Sequence, residues 1–127
     1  MRPWKVLIIE DNEDNLRLER MLLSPLGLEI TSARDGLSGV ETAKADRFDL
    51  ILLDIQLPVM DGYQVARALR RIPHCSSIPI VAVTSYAMPG DRERSLESGC
   101  SGYIEKPLDP SSFARQVEAF LLSGAGE

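Results

Sequence analysis

The sequence predicts an α/β fold in which a doubly wound parallel sheet of five strands carries five helices on its two faces. Three runs contain only apolar residues, at 6–9, 50–53 and 80–83, which is typical of strands buried on both faces of a parallel sheet. Helical patterns separate these runs. Alternating β and α elements imply parallel strands joined by helical crossovers.

In chain order, the strands are expected at residues 6–9, 29–33, 50–53, 80–83 and 102–104. The second and fifth strands are weaker because polar residues interrupt them. Apolar residues at helical spacing predict four of the helices. These residues are Leu18, Met21 and Leu22; Leu37, Val40 and Ala43; Val65, Ala66 and Leu69; and Phe113, Val117, Phe120 and Leu121.

Turn and cap residues mark the ends of the last two helices. A turn at 89–91 introduces a short polar helix at 92–98, and Gly99 closes it. Asp109 followed by Pro110 predicts the start of the last helix, with Asp109 as N-cap and Pro110 at the first helical position.

Length and composition indicate one domain over residues 1–127, since two cores of half this size would each be marginal. The net charge of −5 argues against non-specific binding to nucleic acid. The two cysteines, Cys75 and Cys100, have neither zinc nor disulfide spacing and suit a reducing cytosol. The sequence contains no apolar run that suggests a signal peptide or a membrane span, so we expect a cytoplasmic protein.

Chemically versatile residues follow the predicted strands at their carboxyl ends, where doubly wound sheets place their sites. Glu10 and Asp11 follow the first strand, Asp54 the third, Thr84 the fourth and Lys106 the fifth. If the first and third strands are neighbours, three carboxylates meet at one edge and require a proton or a cation.

Oxygen ligands of this kind suit Mg²⁺, which often binds one or two carboxylates together with waters and phosphate oxygens. A lysine and a hydroxyl at the same edge are donors for a phosphoryl group. An aspartate beside a bound cation can act as the nucleophile and form an acyl phosphate. This set therefore indicates phosphoryl chemistry.

Four segments of the chain resemble the receiver domain of two-component response regulators. They are Ile-Glu-Asp-Asn at 9–12, Leu-Leu-Asp-Ile-Gln-Leu-Pro-Val-Met-Asp-Gly at 52–62, Val-Thr-Ser at 83–85 and Tyr-Ile-Glu-Lys-Pro at 103–107. The resemblance extends from residue 5 to residue 122. It is strongest to stand-alone receivers of the DivK type and to receivers of hybrid histidine kinases. It implies a CheY-like, flavodoxin-like sheet with strand order 2-1-3-4-5.

The resemblance also implies a role for each matching residue. Asp54 would accept the phosphoryl group, while Thr84 and Lys106 would bind it. Asp11 and Asp54 would ligate Mg²⁺ directly. Three further residues would take supporting roles: the Gln56 main-chain carbonyl as a ligand, Glu10 as a ligand through water, and Tyr103 as an aromatic switch. The bond between Lys106 and Pro107 would be cis.

The function implied by the resemblance is a phosphorylation-dependent signalling switch with no further enzymatic activity than self-phosphotransfer and autodephosphorylation. A histidine kinase or histidine phosphotransfer protein would donate the phosphoryl group. A downstream protein would bind the face formed by the fourth helix, fifth strand and fifth helix. No nucleic acid or membrane partner is expected. Because no output domain follows residue 122, another protein would carry the output.

Three alternatives remain open at this stage. The chain could be a receiver from a hybrid histidine kinase, with the same chemistry. It could be an aspartyl-nucleophile phosphatase, although such enzymes have an acid where Gln56 stands. It could be an unphosphorylated interaction module, against which the presence of Asp11, Asp54, Thr84 and Lys106 argues. Away from the site, we interpret Arg67, Arg70 and Arg71 as a solvated helix face, with a docking surface as the weaker option.

Overall fold

The computed structural model describes residues 3–57, 60–84 and 89–125 and has the predicted sheet. All strand pairs are parallel, and the order is β2-β1-β3-β4-β5. The strand bounds are β1 Lys5–Ile9, β2 Glu29–Ala33, β3 Leu50–Asp54, β4 Ile80–Thr84 and β5 Gly102–Glu105. The predicted strand positions are therefore confirmed to within one residue at each end. Pro58, Val59 and Ser85, which belong to the motifs, lie outside the described residues.

Five helices connect and follow the strands. They are α1 Glu13–Leu23, α2 Gly36–Ala45, α3 Gly62–Arg70, α4 Asp91–Glu97 and α5 Phe113–Ala125. Two short 3₁₀ helices, Ser24–Leu26 and Pro73–Cys75, follow α1 and α3. No helix in the described part of the chain has the length and apolar character that crossing a membrane requires.

Side-chain caps fix the starts of three helices. Asn12 accepts a hydrogen bond from the Asn15 N–H at the start of α1, and Asp35 does so from Ser38 at the start of α2. Asp61 forms a capping box with Gln64 at the start of α3. The caps of α1 and α3 fix where these two helices begin after β1 and β3.

The predicted start of the last helix is wrong by three residues. Asp109 does not cap α5; its carboxylate accepts the Ser111 N–H at 2.9 Å and closes a turn around Pro110. The helix begins at Phe113. An aspartate before a proline favours such a turn as well as a helix N-cap, and here the turn is formed.

The core has two layers, one on each face of the sheet. Leu7 and Ile9 of β1 face the layer that α2 and α3 cover, whereas Val6 and Ile8 face the layer beneath α1 and α5. All four side chains are at most 1% exposed. Burial on both faces explains why consecutive residues of the strand, 6–9, are all apolar rather than alternate ones only.

Of the three apolar residues that predicted α1, only Leu22 packs against the core, and Leu18 and Met21 do not belong to the buried face. Leu18 is 40% exposed and Met21 is 63% exposed, whereas Glu19 and Leu23 are buried. Leu37 at the start of α2 is also 69% exposed. The helix itself is predicted correctly, but its orientation follows Leu23, and this turns a glutamate toward the interior.

Arg70 does not lie on a solvated face with Arg67 and Arg71. Its guanidinium donates four hydrogen bonds, which join the end of α3 to the segments that precede β4 and β5. The acceptors are the carbonyl oxygens of Gly99, Cys75 and Ile78, at 2.7–2.8 Å, and Ser101 Oγ at 3.1 Å. The interpretation of Arg70 as solvated is therefore wrong, whereas Arg67 and Arg71 are exposed as expected.

Arg70→Met is expected to lower the free energy of unfolding by about 2–4 kcal/mol, because it keeps the aliphatic stem but leaves main-chain carbonyls without a donor. Urea unfolding followed by circular dichroism measures the change. Arg67→Met, on the exposed side of the same helix, is the control and should change stability by less than about 0.5 kcal/mol. Equal effects of the two substitutions would show that the guanidinium contacts contribute little.

Candidate functional site

The parallel register brings the polar residues that follow the strands to one edge of the sheet. Ile9 pairs with Leu53, so Glu10 and Asp54 come next on adjacent strands. Asp54 pairs with Val83, which places Thr84 one position further along β4. Lys106 follows the pair between Thr84 and Glu105. The predicted convergence of these residues at the carboxyl edge is confirmed.

Asp54 ends the central strand and is 5% exposed. Its Oδ1 accepts the main-chain N–H of Gln56 at 2.9 Å, and its Oδ2 lies 3.7 Å from Lys106 Nζ. A close approach by α3 supports this loop: a Cβ on Gly62 would lie 2.9 Å from the Asp54 carbonyl oxygen and 2.5 Å from Ile55 Cα. Only glycine fits there, so the start of α3 packs directly against the backbone of Asp54 and Ile55.

Lys106 brings a positively charged side chain into the site. Its Nζ donates to Glu10 Oε1 at 2.9 Å and lies near Asp54, and its side chain is 14% exposed. Burial alone would lower the pKa of Lys106, but the hydrogen bond to Glu10 and the charge of Asp54 outweigh it and raise this pKa. The ammonium is therefore held in its charged form between two carboxylates.

Glu10 is buried, with 2% of its surface exposed. Burial raises the pKa of Glu10, and the adjacent Asp54 raises it further, whereas the Lys106 ammonium opposes both effects. Its second oxygen accepts the main-chain N–H of Asn12 at 3.2 Å. Both carboxylate oxygens of Glu10 thus already have a donor.

Asp11 stands at the exposed mouth of the site. One carboxylate oxygen from each of Glu10, Asp11 and Asp54 can be chosen so that all three lie within 4.8 Å of one another. They line a cleft of about 640 Å³, which Lys106 and Gln56 also line. Hard oxygen atoms at this separation fit a small divalent cation such as Mg²⁺.

The two predicted switch residues lie at the end of β4 and on β5. Thr84 ends β4 and is 2% exposed, and its carbonyl accepts the Lys106 N–H at 2.7 Å. Tyr103 on β5 is half-buried and packs against the layer beneath α2 and α3. The bond between Lys106 and Pro107 is cis, as predicted.

Sequence reasoning missed Glu19, which the structure places in the same cleft. It is 2% exposed, and its Oε2 has no hydrogen-bond partner in the described part of the chain. Burial raises the pKa of Glu19 to about 8, and the charge of Glu10 adds to the effect. The sequence does contain a pattern that predicts the burial of Glu19: Leu16, Glu19 and Leu23 lie on one helical face, at i, i+3 and i+7.

Comparison with known proteins gives one family for almost the whole chain. The family model of the response regulator receiver domain matches residues 6–118. The polar-differentiation response regulator DivK of Brucella anthropi is 41% identical over 119 residues, which cover 94% of this chain and 97% of that protein. DivK of Brucella ovis is 40% identical, with 91% and 94% covered.

Solved structures agree in fold. The receiver domain of the sensor histidine kinase PA1611 from Pseudomonas aeruginosa, which has a magnesium ion in its active-site cleft, is 34% identical, with a TM-score of 0.86 and coverage of 94% and 98%. A CheY-like response regulator receiver domain protein from Methanospirillum hungatei is 26% identical, with a TM-score of 0.88 and 98% of each chain covered.

Proposed function

Because the chain belongs to the family of response regulator receiver domains, the phosphorylation-dependent signalling switches of two-component systems, we propose that Asp54 is the phosphoacceptor of this one. The position of Asp54 carries the proposal. Its carboxylate lies at the end of the central strand, between the Gln56 N–H and the Lys106 ammonium, in the cleft that holds the other acids. A gain in mass of one phosphoryl group after incubation with acetyl phosphate and Mg²⁺ tests it.

The acidic cleft would hold Mg²⁺ through Asp11, Asp54 and the main-chain carbonyl of Gln56. Glu10 would contribute through water, because both its oxygens are already bonded, one of them to Lys106. The close grouping of the three carboxylates supports this assignment. When bound, Mg²⁺ supplies positive charge that offsets the repulsion between the carboxylates and the phosphoryl oxygens.

Asp54 would attack the phosphorus atom of a phosphohistidine, carried by a histidine kinase or a phosphotransfer protein. The new bond joins an Asp54 oxygen to phosphorus as the phosphorus–nitrogen bond breaks, and the electron pair stays on the imidazole nitrogen. Lys106 would turn from Asp54 and Glu10 toward the phosphoryl oxygens, and the Thr84 hydroxyl would donate to one of them.

The output would be a change in affinity for a protein partner at the face formed by α4, β5 and α5. Thr84 is hydrogen-bonded through its carbonyl to Lys106 of the cleft, and Tyr103 lies on β5 of this face, which supports them as the relay. The family points to a signalling role and not to a classical enzyme. Gln56 also argues against a phosphatase, because aspartyl-nucleophile phosphatases have an acid at this position.

We place the protein in the cytoplasm. Cys75 and Cys100 are both free and buried, which suits a reducing compartment. The phosphodonors proposed above would act in the same compartment.

Asp11→Ala should weaken Mg²⁺ binding by at least about tenfold, because it removes both a charge and a direct ligand from a hard cation. Glu10→Gln should weaken it less, since Glu10 would act only through water. Isothermal titration calorimetry in the absence of a phosphodonor measures both. Equal losses, or no loss from Asp11→Ala, would show that the ligand assignment is wrong.

A further inference from the structure

The feature that the proposed function leaves unexplained is Glu19. This residue lies in the middle of α1 and is almost completely buried, yet its Oε2 has no hydrogen-bond partner among the residues that the structure describes. Buried carboxylates are rare unless they are paired, and a buried oxygen without a donor costs stability. A group retained at such a cost indicates a partner that is not part of the polypeptide.

The side chain of Glu19 faces the cleft that contains Glu10, Asp54 and Lys106 and helps to line it. The same three residues dominate its electrostatic surroundings: the charges of Glu10 and Asp54 disfavour its ionised form and raise its pKa, whereas Lys106 lowers it. Burial is the largest of these effects, and together they bring the pKa to about 8. A positive charge that entered the cleft would favour the carboxylate of Glu19.

We infer that Glu19 is a fourth carboxyl group of the cation site and that it acts by holding a water molecule bound to the divalent cation. The inference rests on the proposed function, because it assumes that the cleft takes Mg²⁺. The close group of ligand atoms consists of Glu10, Asp11 and Asp54 and does not include Glu19. Protein-bound Mg²⁺ keeps several of its waters, and such a water would donate the hydrogen bond that Glu19 Oε2 lacks.

Glu19 is thus a positioning residue and not a direct ligand. A purely structural role predicts that its replacement changes folding and leaves cation affinity alone. A positioning role predicts the opposite pattern for Glu19→Leu. Leucine suits a buried helix position next to Leu16 and Leu23, so the variant should be at least as stable as the parent when EDTA removes metal. It should nevertheless bind Mg²⁺ more weakly.

The experiment is Mg²⁺ titration by calorimetry on the full chain, with thermal unfolding in EDTA measured in parallel. Glu19→Leu should lower Mg²⁺ affinity on the order of fivefold, because it removes the acceptor for the water and the negative charge that Glu19 would carry once the cation is bound. The Mg²⁺ affinity of Glu19→Gln should fall between those of the parent and Glu19→Leu. Its amide oxygen still accepts a hydrogen bond from water but carries no charge. Glu13→Gln is the matched control: it removes the same charge from an exposed position of the same helix, where Glu13 only approaches Arg34 at 3.5 Å.

Parent-like affinity in Glu19→Leu overturns the inference. So does an equal loss in Glu13→Gln, because the effect would then be one of net charge. Asp11→Ala separates this failure from that of the proposed function. If Asp11→Ala weakens Mg²⁺ and Glu19→Leu does not, only the role of Glu19 is wrong. If neither weakens it, the cleft is not the Mg²⁺ site and both proposals are wrong.

Discussion

Asp54→Asn is expected to abolish the Mg²⁺-dependent gain in mass from acetyl phosphate. The amide lacks the anionic oxygen that would attack phosphorus, and it would replace a charged ligand of the cation by a neutral one. Neither Glu10 nor Asp11 can readily replace Asp54 as the acceptor. Glu10 has both oxygens bonded, and Asp11 lies at the solvent-exposed mouth. Intact-protein mass spectrometry at several times after mixing measures the result.

The control for this experiment is Asp35→Asn. Asp35 is an exposed N-cap at the start of α2, and asparagine caps a helix about as well as aspartate does. It makes the same chemical change outside the cleft, so full phosphorylation should remain. Asp54→Asn should also stay folded, because it reduces the charge repulsion with Glu10. Full labelling of a folded Asp54→Asn protein would place the acceptor on another residue and break the proposed mechanism.

The three inner strands, β1, β3 and β4, could be predicted almost residue by residue because burial on both faces leaves a simple signal. Every position of β3 is buried, so no polar residue interrupts the run, and the site residues stand out where the run ends. The register then fixes which of them meet. Glu10 and Asp54 are neighbours because Ile9 pairs with Leu53, which follows from strand order and not from any local pattern.

The buried faces of the helices were less predictable than the strands, because an apolar stripe does not determine which neighbouring element packs against it. Leu18 and Met21 looked like a core face, yet α1 turns Leu23 inward and Glu19 with it. The prediction for Arg70 was wrong for a related reason. Its partners are main-chain carbonyls of segments distant in sequence, and no pattern of side chains predicts such contacts. Both errors concern tertiary contacts of polar groups on helices.

Thr84→Ala is expected to separate phosphorylation from its readout. Thr84 is buried at the end of β4, and its backbone is joined to Lys106. Its hydroxyl is the group proposed to bind the phosphoryl oxygen. In the proposed mechanism, acceptance by Asp54 depends on the cation and on Lys106 and not on Thr84, so the variant should still gain mass. The shift in conformation is proposed to need the hydroxyl to move toward the phosphoryl group, which would open space for the Tyr103 ring.

The expected size of this effect is large. A hydrogen bond to a charged group contributes about 1.5–3 kcal/mol, so its loss should reduce the equilibrium constant between the two states about tenfold or more. Backbone amide chemical shifts over residues 92–118, with and without a beryllofluoride mimic of the phosphoryl group, report that equilibrium. In Thr84→Ala the mimic should produce much smaller shift changes across α4, β5 and α5 than in the parent.

Thr84→Ser is the matched variant, because it keeps the hydroxyl and loses only the methyl group. It should restore most of the shift changes, whereas a defect caused by lost packing alone would appear in both variants. Tyr103→Leu extends the test, since it should leave the changes near the cleft intact and reduce those in α4 and α5. If Thr84→Ala responds to beryllofluoride as the parent does over residues 92–118, the signal leaves the cleft by another route. The segment directly after β3, where Ile55 lies against Gly62, would then be the element to examine.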